Sequence, residues 1–380
     1  MKKKYVLFSI VTLVLLVALI TSFNYFKTTN TYIDDSVNNQ TKITKGISMN
    51  LEQTAGAGDY KTVTRSSWPT ERYNFNAELS RCENGSTLSW DDTKKAVIVS
   101  GNLSDKCYVY FDLARFDETC DGSTLACRIA KQYTGTQGEN SLYYHDSTLT
   151  NGAGDNSYRY AGASNNVNNY ICLGSDATTC PDANLFRIIG VFGDQTKVIR
   201  AKSVGDKEWD TNDSNTWSTS SLNTYLNGEY LTSLGTLADK IATTTWKVGG
   251  GSTTYLYDVP KTAYQYEVGS SASTTTYDAK IGLMYVSDYG FAADQSGWTT
   301  KLSSYNSNKS KNWLNTGKYI EWTLSRNSDN TDNAFGVIST GYVDNYNVTK
   351  SYVVRPSFNL ESSVKYVSGS GSMSGPVRVN

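Results

Sequence analysis

An uncharged apolar run stands near the beginning of the chain, from Tyr5 to Phe23, directly after lysines at positions 2–4. At 1.5 Å per residue, a helix over this run spans roughly 28 Å, close to the hydrocarbon thickness of a bilayer. The lysines orient such a helix with its N-terminus in the cytoplasm. The pattern predicts an uncleaved membrane anchor over residues 1–27. A cleaved signal peptide is the alternative, and both interpretations export the rest of the chain.

The next two segments differ in their hydrophobic pattern. Residues 28–70 are polar and contain no long apolar period, which predicts a spacer. Residues 71–116 contain short stretches that alternate apolar and polar positions, separated by turn sequences such as ENG, and this is typical of strands. We therefore expect a small β module over residues 71–116, followed by a loop-rich connector over residues 117–156.

Residues 157–380 combine strand and helix patterns and predict an α+β, β-rich domain. Apolar runs at Leu185–Phe192 and Lys197–Ser203 flank a Gly-Asp turn and predict a hairpin. Apolar residues at helical spacing predict a helix that begins near Ser220 and ends at Gly228. Beyond residue 279 we expect short strands and aromatic-rich loops.

The composition narrows the function classes. The chain has 35 Lys+Arg against 36 Asp+Glu, so it lacks the basic field that nucleic-acid binding requires. It has a single histidine, which excludes a metal centre built from several histidines. Its 28 tyrosines and 8 tryptophans argue against wholesale disorder.

The cysteines form three local pairs, and an even number of cysteines in an exported chain predicts disulfide bonds. Free buried thiols are the alternative. The expected pairs are Cys82 with Cys107, Cys120 with Cys127, and Cys172 with Cys180.

Few residues suggest catalysis or metal binding. His145 stands beside Asp146 but no nucleophile motif accompanies it, so we expect an exposed loop histidine and no enzyme activity. The segment that begins at Asp210 imitates the start of an EF-hand, but Asn215 replaces its glycine and Ser221 its final acid. We expect no cofactor, although calcium held by loop oxygens, here or around Asp329 and Asp332, stays open.

Aromatic residues are dense in the polar loops near the C-terminus. Tyrosine and tryptophan offer large, rigid contact surfaces that suit recognition and sugar stacking. Burial of the tryptophans in the core is the alternative. The candidate ligand-binding residues are Trp313, Trp322, Arg326, Tyr342 and Tyr346.

Several segments between residues 157 and 362 occur in a recognisable order: YRYAGASNNVNNYICLGSD, NTWSTSSLNTYLNG, KIGLMYVSDYGFA, EWTLSR and YVVRPSFNL. As a set they resemble an uncharacterised domain family of predicted bacterial surface proteins, which closes with a W-x-L…V-R-P-S/A block. That block is distantly similar to C-type-lectin-like folds, including the formylglycine-generating type. The resemblance implies a C-type-lectin-like α+β domain with an aromatic binding face. It does not imply the sulfatase-modifying activity, which depends on late cysteines, because no cysteine follows Cys180.

Together these features lead us to expect a membrane-anchored bacterial cell-surface protein with a non-catalytic ligand-binding or adhesion domain. Its N-terminus would be cytoplasmic and its later domains extracellular. The expected partners are the membrane and a glycan or protein on a neighbouring surface. An envelope-associated hydrolase that uses loop carboxylates and a purely structural surface protein are the alternatives.

Overall fold

The computed structural model describes residues 46–53, 55–63, 72–102 and 105–380. Its contacts divide the chain into two units, with the boundary between Ala114 and Arg115. The predicted anchor over residues 1–27 lies outside the described residues. Within the described ranges, no helix combines the length and apolar character needed to cross a bilayer.

A mixed sheet forms the first unit. The sheet contains β1 (Ile47–Glu52), β2 (Tyr60–Val63), β3 (Tyr73–Phe75), β4 (Arg81–Cys82) and β7 (Cys107–Leu113). A separate hairpin consists of β5 (Thr87–Asp91) and β6 (Ala96–Ser100). The sheet order is β2–β1–β7–β3, and β4 also pairs with β7. Parallel pairing sets Met49 beside Val109 and Leu51 beside Phe111, and all four are buried in one apolar cluster.

This sheet corrects the prediction of a polar spacer over residues 28–70. Residues 47–52 and 60–63 form strands of the same sheet as β7, so the predicted module of residues 71–116 begins too late. The segment reads as polar because only Met49 and Leu51 supply large apolar side chains to the core from β1. Main-chain pairing with β2 on one side and β7 on the other also holds this strand.

Two larger sheets and one two-stranded ribbon organise the second unit. Their strands are β8 (Leu142–His145), β9 (Ser157–Tyr160), β10 (Tyr170–Cys172), β11 (Leu185–Phe192), β12 (Gln195–Arg200), β13 (Asp206–Glu208), β14 (Thr244–Lys247), β15 (Thr276–Ala279), β16 (Ile320–Arg326), β17 (Asn333–Ile338), β18 (Val343–Asn347), β19 (Ser351–Val353), β20 (Ser357–Leu360), β21 (Tyr366–Ser368) and β22 (Val377–Val379). One sheet has the order β20–β12–β11–β10–β22–β21, with β9 on β11 and β8 on β9, and the other has the order β13–β19–β16–β17–β18. The ribbon pairs β14 with β15.

Short helices connect these strands. They are α1 (Phe116–Thr119), α2 (Leu125–Ala130), α3 (Ser221–Tyr225), α4 (Leu231–Ser233), α5 (Thr253–Leu256), α6 (Pro260–Glu267) and α7 (Val286–Phe291). The α+β, β-rich class is confirmed for the described residues. The C-type-lectin-like description of this unit stays a prediction.

The predicted hairpin is present as β11 and β12 and lies inside the large sheet. Almost every residue of β11 is buried, as its continuous apolar run predicts. A Cβ atom at Gly190 would collide with the main chain of Tyr158, so glycine permits the close approach of β9 to β11.

The predicted helix begins as expected but does not stop at Gly228. Ser220 is its N-cap, and its hydroxyl accepts a hydrogen bond from the Asn223 amide at 3.1 Å. A π-helical turn, Leu226–Tyr230, carries the chain through Gly228 into α4. Because Leu226 and Tyr230 are buried, tertiary packing outweighs the weak helix preference of glycine.

The predicted connector over residues 117–156 belongs to the second unit. Leu125 and Ile129 of α2 and Leu142 of β8 are buried in the same core as the hairpin. The unit therefore begins at Arg115 and not at residue 157. Asparagine, glycine and tyrosine between these short elements give the segment its loop-like composition.

The structure confirms all three expected disulfide pairs: Cys82–Cys107, Cys120–Cys127 and Cys172–Cys180. Cys82 and Cys107 are also direct partners across β4 and β7. Each bond closes a short loop, and loops of this size typically add a few kcal/mol by restricting the unfolded chain.

A buried ion pair joins the closing segment to β16. The Nε of Arg355 donates to Glu321 at 2.7 Å, and Nη2 donates to the Leu314 carbonyl at 2.8 Å. Both side chains are almost completely buried. Burial raises the pKa of Glu321 although Arg355 opposes the shift.

We expect Glu321→Gln to lower the free energy of unfolding by about 3–5 kcal/mol, because it leaves the Arg355 guanidinium buried without its counter-ion. Chemical denaturation measures the change. The matched control is Lys202→Met, which breaks an exposed pair with Asp182 and should change stability little. An equal loss of unfolding free energy in the two variants would contradict a larger contribution from the buried Glu321–Arg355 pair.

The single histidine is buried, which corrects the expectation of an exposed loop residue. His145 packs against Phe291 and Trp298, and its Nδ1 accepts a hydrogen bond from the Ala153 amide at 3.0 Å. Its Nε2 is buried and has no partner among the described residues. Burial and the neighbouring Arg159 lower the pKa of His145 from 6.5 to about 3.

The free energy of unfolding should therefore fall as the pH falls from about 6.5 toward 3. In this window the imidazole binds a proton in the unfolded chain and not in the folded one. Each pH unit therefore lowers the free energy of unfolding by up to about 1.4 kcal/mol. His145→Asn keeps an acceptor for the Ala153 amide and should flatten this slope, measured by denaturation at several pH values. Since the chain has no other histidine, an unchanged slope between pH 6.5 and 5 would contradict the assignment.

Candidate functional site

Trp313 and Trp322, two of the predicted ligand-binding residues, are core residues, which agrees with the alternative that the tryptophans are buried. Trp313 and Trp322 are 2% and 1% exposed. Each indole N–H donates to a main-chain oxygen, of Tyr160 and Lys207 respectively. Their surroundings resembled a loop in sequence because their neighbours Asn312, Glu321 and Thr323 are polar, although these neighbours are buried too.

The other three predicted residues are half-buried and do not converge on one cleft. Tyr342 and Tyr346 pack at the edge of the main core. Tyr346 lies against Tyr352, and Trp322 contacts the same ring. Arg326 instead donates to the Gly249 carbonyl at 3.0 Å, away from this aromatic cluster.

A different cleft gathers the charged and aromatic side chains of the second unit. It has a volume of about 320 Å³ and lies between the β11–β12 hairpin, β9, β14, α6 and α7. Aromatic rings and polar groups share its walls. The lining includes Asp155, Arg159, Phe192, Lys197, Thr244, Thr245, Trp246, Lys247, Tyr264, Tyr285, Ser287, Asp288 and Asn359. We refer to it as the charged aromatic cleft.

Asp288 is the centre of the charges in this cleft. Its Oδ2 receives the Lys197 ammonium at 2.5 Å, and its Oδ1 lies 3.4 Å from the Arg159 guanidinium. The other terminal nitrogen of Arg159 contacts Asp155 at 2.6 Å. Arg159, Lys197 and Asp288 are each at least nine-tenths buried, so each needs these partners to remain charged.

Local structure explains why these groups stand where they do. Asp288 is the third residue of α7 and accepts the Tyr285 amide at 2.9 Å, as in a capping box. Lys197 and Arg159 come from β12 and β9, which flank β11 in the sheet. The sheet therefore holds both cations, and the first turn of α7 presents the carboxylate to them.

Glu267 also fixes the N-terminus of this helix. Its two carboxylate oxygens accept the amides of Val286 and Ser287, each at 2.9 Å, and one also accepts the Ser325 hydroxyl. Burial raises the pKa of Glu267, and the hydrogen bonds from Ser287 and Ser325 oppose the shift. Glu267 does not line the cleft, so its role is to position α7.

The aromatic walls contact the cations directly. The Lys197 ammonium lies 4.6 Å from the centre of the Tyr285 ring and 5.4 Å from that of Trp246. The Arg159 guanidinium lies 4.6 Å from the Phe192 ring. These distances suit cation–π attraction, so the cations are compensated by rings as well as by carboxylates.

The pKa directions agree with a compensated site. Burial opposes ionisation of Asp155, but Arg159 and hydrogen bonds outweigh it, so the pKa of Asp155 is lowered. Burial lowers the pKa of Lys197, and Asp288 opposes that shift. Asp155 is therefore ionised at neutral pH and is a poor proton donor.

The described residues offer little support for a bound metal ion. There, no group of three or more His, Cys, Asp or Glu side chains is placed to hold a metal ion. The Asp210 carboxylate, at the start of the calcium-like segment, accepts the amides of Asn212, Ser214 and Ser221. Asp210 therefore caps the turn and the following helix with its own oxygens.

Sequence reasoning missed every charged residue of the cleft. Arg159 lies 38 residues before Lys197 and 129 residues before Asp288 along the chain, and the fold alone brings them together. One signal was available: Lys197 and Arg187 are charged residues inside the apolar runs of the predicted hairpin. A charge at an expected core position indicates a buried partner.

Comparison with known proteins yields one match. No curated protein and no solved structure matches the chain. The one match is to a family model over residues 193–362, which includes Lys197, Trp246 and Asp288 of the charged aromatic cleft but not Asp155 and Arg159. Residues 193–362 match the model of an uncharacterised family, described as a domain of unknown function (DUF6273).

Proposed function

We propose that this protein binds a polar ligand, of saccharide type, in the charged aromatic cleft without transforming it. The observation that carries the proposal is that the buried charges of the cleft are paired with one another. A site whose carboxylates and cations already neutralise one another is suited to hold a neutral ligand. It is poorly suited to proton transfer, which needs a group poised to gain or lose a proton.

The accessible walls of the cleft fit a saccharide. Phe192 and Tyr264 are half-buried and offer ring faces for stacking on the apolar faces of a sugar. Thr244 accepts the Asn359 amide at 3.0 Å and keeps its own O–H to donate, and Thr245 donates to Asp278 at 2.6 Å and keeps its lone pairs to accept. A volume of about 320 Å³ lies at the small end of the usual range for ligand pockets, enough for one or two sugar rings.

We also propose the setting in which this binding takes place. Three disulfide bonds favour an exported chain, and the apolar run from Tyr5 to Phe23 favours an anchored one. A bacterial cell-surface protein with a lectin-like binding domain accommodates both features. Its partners would be the membrane and a glycan, free or on a neighbouring surface.

One observation favours a hydrolase as the second candidate. Asp155 and Asp288 contact the two terminal nitrogens of one guanidinium, which brings two carboxyl groups into the same cleft, as a glycosidase requires. A glycosidase also needs a carboxyl with a raised pKa as its acid, whereas the pKa of Asp155 is lowered. The paired carboxylates therefore suit binding better than hydrolysis.

We expect the full chain to bind members of an array of neutral and acidic oligosaccharides, and Tyr264→Ala to weaken that binding about tenfold through loss of stacking. Thermal unfolding checks that the variant is folded. The control is Tyr319→Ala, because Tyr319 is 75% exposed and does not line the cleft. Binding lost in Tyr319→Ala and kept in Tyr264→Ala would place the site elsewhere, and an array without any bound saccharide would contradict the proposal.

A further inference from the structure

A second, smaller pocket lies beside the Gly249–Gly251 turn and shares no lining residue with the charged aromatic cleft. Its volume is about 120 Å³. Apart from Val248, its lining consists of Thr216, Trp217, Ser218, Thr275, Thr276 and Arg326. The only charge in this lining is the guanidinium of Arg326, so the pocket has donors and no acid.

Trp217 has an indole N–H without an acceptor among the described residues. Its side chain is 1% exposed, so the unpaired donor is buried. The other buried tryptophans, Trp209, Trp246, Trp298, Trp313 and Trp322, each donate to a main-chain oxygen at 2.8–3.1 Å. A buried donor without a partner costs about 1–3 kcal/mol, so Trp217 differs from the other buried tryptophans in having an unused donor in a residue that lines a pocket.

Arg326 is held in place but not neutralised. Its Nε donates to the Gly249 carbonyl at 3.0 Å and its Nη1 to the Asn215 side-chain oxygen at 3.1 Å. The Asn215 amide nitrogen in turn donates to the carbonyls of Asn327, Asn330 and Asn333, which fixes the orientation of this side chain. No ion pair joins Arg326 to an acid in the described part of the chain, and its Nη2 has no acceptor there.

We propose that this pocket binds a carboxylate group. The Gly249 and Asn215 oxygens occupy Nε and one N–H of Nη1, so Nη2 of Arg326 is left to donate charge-assisted hydrogen bonds to a carboxylate oxygen. The indole of Trp217, whose N–H is unused, belongs to the same lining. The volume admits a carboxylate with a short carbon stem. The exposed hydroxyls of Thr216, Ser218, Thr275 and Thr276 surround the opening, through which the rest of the ligand would extend.

This inference does not depend on the saccharide proposal, but the two sites are close along the chain. Residues 244–247 of β14 line the charged aromatic cleft, and Val248 lines the carboxylate pocket. A Cβ atom at Gly250 would collide with the Arg326 main chain, and Gly250 has a φ of +63°. Glycine at this position therefore allows the turn to close against Arg326 and complete the pocket.

The test is an NMR titration of the full chain, labelled with ¹⁵N in its tryptophan indoles, with sodium acetate at constant ionic strength. We expect a saturable shift of the Trp217 Nε1–H signal, which is identified by its disappearance in Trp217→Phe. Arg326→Gln should weaken acetate binding about tenfold. The matched control, Arg128→Gln, removes an exposed arginine outside the pocket and should leave the titration unchanged.

Thermal unfolding gives a second readout in case Arg326→Gln does not fold. Acetate should raise the Tm of the wild-type chain more than that of Trp217→Phe, which loses no internal hydrogen bond. A Trp217 signal that does not respond to acetate would overturn the proposal, as would an equal response in Arg326→Gln. A response to phosphate but not to acetate would also overturn it and assign the pocket to a different anion.

Discussion

The pairing of Asp288 with both Lys197 and Arg159 is the constraint on which the second unit depends. Two buried cations, from β12 and β9, meet at one buried carboxylate of α7, and each of the three charges would be costly to bury alone. The strand β12 and the helix must therefore come together before Lys197 and Asp288 are compensated, whereas Arg159 also pairs with the nearby Asp155. Since the same side chains line the charged aromatic cleft, the cleft is formed by folding itself and does not wait for a ligand.

The charged aromatic cleft and the smaller pocket each contain an arginine, but different groups surround the two guanidinium groups. In the charged aromatic cleft, carboxylates and rings compensate Arg159, which leaves a site suited to a neutral polar ligand. In the smaller pocket, carbonyl and amide oxygens hold Arg326 without cancelling its charge, which leaves a site suited to an anion. The distinction rests on what surrounds each guanidinium and not on the arginine itself.

Elements that depend on residues close together in the sequence could be predicted. The apolar run of β11, the N-cap at Ser220 and the three short cysteine spacings each carry their signal within a few residues. The strand β1 was missed because its partner β7 follows much later, and β2, which pairs with β1, was missed because it is short and contributes no fully buried side chain. The cleft was missed because its ion pairs join residues up to 129 positions apart. The burial of Trp313 and Trp322 stayed an alternative because burial depends on packing that no local pattern records.

The central claim is that the charged aromatic cleft binds without catalysis, and one measurement addresses both parts of it. Saturation-transfer NMR on an oligosaccharide selected from the array, recorded repeatedly in the presence of the full chain, reports binding and turnover in the same sample. The account predicts transfer from the protein to the sugar-ring protons and no new reducing-end signals with time. New reducing-end signals that are absent with Asp288→Asn would contradict it and identify the cleft as a hydrolase site.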